Sequence, residues 1–229
     1  MIDAILKQHR SQIWFANQLH QDAAHSDPTG FSNLDHALHG GWPASGCIEL
    51  SCTQQAIGEF ALLLPALQTQ LQNDHIALVI NLPGHLNPHP LVEAGIDLKK
   101  VAIINCDPAS ALWCAEQSLK SGCCRTVILW ASPLSVTQAK RLQLAAQENH
   151  SRIFVLTSAS SMETALPIAC RLILSPSQNQ LHIRVAKQKG LPSSPVLIDV
   201  FQFSQPGYNS QQQENISANH TGNIVRLHR

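Results

Sequence analysis

The chain has 229 residues, room for one sizeable domain with extensions rather than for two. Lysine plus arginine and aspartate plus glutamate number 15 each, which excludes a broad basic field for non-specific nucleic-acid binding and leaves any DNA contact local or indirect. No apolar run approaches the about 20 residues that cross a bilayer, and the opening MIDAILKQHR lacks the order of a secretory signal.

Seven cysteines, odd in number and without a CxxC pair, argue against a disulfide frame or a zinc site and for buried reduced thiols in the cytoplasm. The twelve histidines are scattered without HExxH spacing, so no metal site is predicted.

In chain order, Ile2, Ile5, Leu6, Ile13, Ala16 and Leu19 fall at roughly helical spacing and predict an amphipathic helix over 2–20, within an N-terminal segment 1–25 that ends in a polar linker. A core follows at 26–203. Its apolar runs are Cys47–Ser51, Ile76–Asn81, Val101–Asn105, Thr126–Ala131 and Ile153–Thr157. Several are apolar at nearly every position, as strands covered on both faces must be, and each is separated from the next by enough chain for a crossover. The fold class is therefore α/β, with a doubly wound, mostly parallel sheet and helices on both faces.

Helix boundaries are written locally. Asp107 before Pro108 makes an N-cap with proline at the first helical position, and Gly122 stops that helix. Ser135 and Gln138 form a capping box for the next one. Phe60, Leu63, Leu64, Leu67 and Leu71 line one helical face, with Pro65 either kinking that helix or opening it. After Ala169, CRLILSP, QLHIRVAKQ and PVLIDVFQF predict an antiparallel meander at one sheet edge. Residues 204–229 read as a flexible polar tail closing on IVRLHR, where Arg226 and Arg229 lie in a small apolar and basic knot of the kind that can order on a partner.

The segment ELSCTQQAIGEFALLLPALQTQL has the outline of a phosphate-binding strand, loop and helix. A working loop, GxxxxGK[ST], turns backbone N–H groups onto phosphate and adds a lysine and a hydroxyl. Here Cys52 opens the loop, Gly58 alone survives of the glycines, Glu59 replaces the lysine and Phe60 replaces the hydroxyl. A carboxylate against a triphosphate is repulsive by several kcal/mol at about 4 Å. The strand TVILWASP ends without a magnesium-holding aspartate, and LPGHLNPHP follows IALVIN without a catalytic glutamate. No cofactor, catalytic residue or metal ligand is therefore predicted, and the chain is read as a non-enzyme whose fold is kept for its surface. Trp42, beside Pro43, is read as a rigid exposed aromatic suited to an interface.

TGFSNLDHALHGGWPASGCIEL resembles the lead-in to the nucleotide loop of RecA-type ATPases. IWFANQL, GGWP, IGEFALLLPAL, ALWCAEQSLKSG and AKRLQLAAQ resemble the ImuA family over about residues 13–203. The resemblance implies a RecA-like core and an accessory role in bacterial SOS-induced translesion DNA synthesis. Its partners would be an ImuB-like protein, an error-prone DNA polymerase and the RecA filament. Lys187 and Lys189 match a lysine pair with which RecA reaches a neighbouring subunit's nucleotide, which implies a capping role on that filament. SulA, a cell-division inhibitor that binds FtsZ, resembles the middle section and supplies the alternative. A divergent DNA-dependent ATPase is the third reading.

Overall fold

The computed structural model describes residues 26–72, 75–159, 165–178, 180–188, 192–200 and 224–226. The helix predicted over 2–20, Lys189 and Arg229 lie outside the described residues.

Two short strands, β1 (Ser26–Asp27) and β2 (Trp42–Pro43), pair antiparallel as a ribbon around the helix α1 (Ser32–Ala37). The main sheet is built from β3 (Gly46–Cys52), β4 (Ile76–Ile80), β5 (Val101–Asn105), β6 (Cys124–Trp130), β7 (Arg152–Ser158), β8 (Cys170–Ser177), β9 (Gln180–Lys187), β10 (Val196–Ile198) and β11 (Ile224–Arg226). Its nine strands run in the order β10-β9-β8-β3-β7-β6-β4-β5-β11. Strands β3 to β8 and β11 are parallel, and β9 and β10 are antiparallel additions at one edge.

Four further helices, α2 (Leu64–Gln70), α3 (His89–Glu93), α4 (Pro108–Lys120) and α5 (Val136–Glu148), cover the sheet. The two-residue period of a strand divides each run between two cores. Ile48, Leu50, Val79, Ile128 and Phe154 face Leu64 and Leu67 of α2 and Leu34 of α1. Cys47, Leu78, Ile80, Leu129 and Val155 face Ala115 and Leu119 of α4 and Leu142 of α5. The chain is thus a mixed α/β protein with a mostly parallel central sheet.

The predicted caps form. Asp107 accepts from the Ala109 and Ser110 N–H groups at 3.1 and 3.0 Å, and Gly122 takes φ +71 just beyond α4. Ser135 and Gln138 exchange the two bonds of a capping box at 3.3 and 2.8 Å. Pro65 sits in the first turn of α2, after a 3₁₀ turn at Ala61–Leu63. It opens the helix instead of kinking it, because its missing N–H falls among the donors a first turn leaves unused.

One expectation is corrected. Trp42 is fully buried and meets Phe154 edge-on, with ring centroids 5.1 Å apart and an interplanar angle of 79°. The ribbon folds it onto the sheet, so it is a core residue and no exposed anchor. Within the tail, Ile224–Arg226 pair in parallel with β5, Ile224 opposite Ile103. The added strand pairs with backbone groups that the edge of β5 would otherwise expose.

Arg152, the first residue of β7, locks the ribbon down. Its guanidinium is buried, Nε donates to the Pro43 carbonyl at 2.8 Å, and Nη2 donates to Asp27. Burial lowers the Arg152 pKa, and Asp27 opposes that shift.

Candidate functional site

The carboxyl ends of β3, β4, β6 and β7 open a cleft of about 770 Å³, the position at which open α/β sheets take ligands. Its near wall is the loop leaving β3, which begins with the Thr53 N–H bonded to the Leu174 carbonyl at 2.9 Å. Ala56 then turns left-handed at φ +59 and Gly58 at φ +100.

These turns present backbone donors, but the chain fills them itself. Glu59 is 6% exposed. Its Oε1 accepts from the Ala56 N–H at 3.1 Å and its Oε2 from the Ile57 N–H at 2.8 Å. The carboxylate takes two loop donors that would otherwise be free to meet a negative charge. Phe60 follows and stacks on Trp130, centroids 6.1 Å apart at 29°. Of the predicted loop residues, Cys52 and Glu59 line the cleft directly, with Gly58 and Phe60 in the same loop.

The Cys52 thiol is pushed up to about 12 by burial and, next, by the charge of Glu59. It therefore holds its proton at neutral pH, which leaves little thiolate to act as a nucleophile. All seven thiols are free, four of them buried and Cys123 exposed. Among the described residues no group of three or more His, Cys, Asp or Glu side chains could hold a metal ion, and no helix is long and apolar enough to cross a membrane.

The far wall carries Trp130, Ala131 and Ser132 from the end of β6. Asn81 closes β4 at φ +55, accepting from the Cys106 N–H through Oδ1 at 2.9 Å and donating its own N–H to the Ile104 carbonyl at 2.9 Å. It fastens β4 to β5. Among the described residues lining the cleft, Glu59 is the single charged side chain, and there is no lysine or arginine.

Beneath the cleft floor lies a buried charge pair that the sequence reading missed. Thr157, which lines the cleft, donates to Glu49 Oε1 at 3.0 Å, and Arg171 Nε donates to Glu49 Oε2 at 2.6 Å. Glu49 and Arg171 are both buried, so three neighbouring strands, β7, β3 and β8, are tied across the sheet. The available signal was one acid and one arginine, each alone in a run otherwise suited to a doubly covered strand.

The other predicted contacts lie apart from the cleft. Lys187 ends β9 with Nζ donating to the Leu166 carbonyl. Arg226 belongs to β11.

No family model matches the chain. No curated protein matches it. Among solved structures, the chain is similar to SulA from Pseudomonas aeruginosa over 48% of its own length and 97% of that chain, with 24% identity and a TM-score of 0.41. A likeness of that degree assigns neither a family nor an activity.

Proposed function

We propose that this chain is a RecA-shaped, non-catalytic accessory protein of SOS-induced, error-prone translesion DNA synthesis, acting in the cytoplasm through contacts with an ImuB-like protein, an error-prone polymerase and RecA. The partner assignment is drawn from the resemblance of GGWP and IGEFALLLPAL to the ImuA family. The non-catalytic part is carried by one observation: the Glu59 carboxylate occupies the Ala56 and Ile57 donors of the loop.

A triphosphate entering that cleft meets a fixed negative charge, finds these two donors taken and gains no cationic partner among the described lining residues. Calorimetric titration with Mg-ATP is expected to show no binding at millimolar nucleotide, with no DNA-stimulated hydrolysis. Magnesium-dependent micromolar uptake would overturn the reading and favour the ATPase alternative. Pairwise capture against ImuB, RecA and FtsZ is expected to retain ImuB. Capture of FtsZ alone, with septation arrested on overproduction, would move the assignment to the SulA-like alternative.

A further inference from the structure

The cleft has room for a ligand but no cation among its described lining residues, and what lines it has a definite preference. Among the described lining residues its one formal charge is the Glu59 carboxylate, and its walls add the indole of Trp130 and the side-chain amides of Gln54, Gln55 and Gln138. The two backbone bonds to Glu59 use one site on each oxygen, whereas an ionised carboxylate accepts at about four. Glu59 lines the same cleft as Trp130, whose ring Phe60 stacks against.

A planar cation satisfies these features together. A guanidinium stacks on an indole, donates in a fork to a carboxylate and tolerates partial desolvation better than an ammonium does. Phosphates are repelled, and a wholly apolar group would strand the amides and hydroxyls that line the walls.

We propose that the cleft is a socket for an arginine side chain presented by a segment of a partner protein, with the guanidinium against Trp130 and paired with Glu59. The fit rests on charge complementarity: an acid with no lysine or arginine beside it among the described lining residues, in one cleft with an aromatic wall. It depends on the reading that the cleft holds no triphosphate, and is independent of which cellular system supplies the partner.

The test uses the full chain and a capped Gly-Arg-Gly tripeptide, with its citrulline counterpart as a neutral isostere, followed by NMR of the Trp130 indole and by calorimetry. The arginine peptide is expected to bind at least tenfold more tightly than the citrulline peptide and to shift the Trp130 signal. Glu59→Gln should remove that preference. Because Glu59 also holds the loop, Gln55→Lys supplies a second variant: Gln55 is an exposed residue on the cleft rim, and a lysine there should weaken arginine binding at least fivefold with the unfolding midpoint unchanged. Equal affinity for the two peptides, indifference to Gln55→Lys, or tighter binding of free arginine than of the capped peptide would overturn the proposal. Failure of the arginine peptide with ATP also unbound overturns the socket alone, whereas ATP binding overturns the socket and the non-catalytic reading together.

Discussion

Replacing Glu59 with alanine separates a side chain that merely repels phosphate from one that builds the loop. The Ile57 N–H bond is 2.8 Å long, to a charged acceptor at a half-buried position, and its loss should cost about 1.5 kcal/mol, the low end for charge-assisted bonds. The Ala56 bond is longer, 3.1 Å, and its residue is exposed, so water replaces the acceptor and about 0.5 kcal/mol is lost. Against this, Ala56 is held left-handed at φ +59, a conformation that costs a non-glycine residue about 1 kcal/mol and that a freed loop partly relaxes. The net destabilisation is about 1.5 kcal/mol, roughly a tenfold change in the folding equilibrium and a fall in Tm of about 3–6 °C for a chain of this size. Urea unfolding followed by circular dichroism at pH 7 reads it, with the m-value unchanged. Glu59→Gln, which keeps one acceptor, should lose about half as much. Stability of Glu59→Ala within about 0.3 kcal/mol of the parent would refute the claim that the carboxylate holds these donors.

Other outcomes follow from the same geometry. Arg171→Leu strands the buried Glu49 and should cost about 3–5 kcal/mol, while Glu49→Leu combined with Arg171→Leu should recover most of it, a coupling read from a double-mutant unfolding cycle. Trp42→Ala should lower stability by about 3–5 kcal/mol, as expected of a core aromatic and not of a surface contact, whereas Trp42→Phe should cost far less because the indole N–H has no partner. In a thiol-reagent time course without denaturant, the exposed Cys123 should react first, and the buried Cys47, Cys52 and Cys170 only as the chain unfolds. Burial pushes Cys52 and Cys170 up to about 12 from an ordinary 9.0. The folded state therefore holds these protons more tightly, so their stabilisation is complete below pH 9 and drains away as pH rises from about 9 toward 12, seen as a falling urea midpoint.

The sheet and its caps were legible because their causes are local. A strand covered on both faces needs an apolar run, and Asp107, Pro108, Ser135 and Gln138 act within one helical turn of their own positions. The ribbon was not legible, since Arg152 meets Asp27 across 125 residues and nothing near either residue announces the other. Trp42 was misread for the same reason: a Trp-Pro pair looks rigid and exposed until Phe154, on a distant strand, is found beneath it. At the cleft, the sequence showed that Glu59 stands where a lysine is needed. It did not show the carboxylate turning back onto residues 56 and 57, because that depends on the left-handed turn at Ala56, which alanine does not advertise.

The clamp at Arg152 also sets the distance between the ribbon and the cleft. Arg152 begins β7 and grips Pro43 and Asp27, while Thr157 and Ser158 finish the same strand at the cleft, about 20 Å away at the usual rise of an extended chain. A single strand thus joins the two, so substitutions at Arg152 and at Thr157 act on opposite ends of the same element.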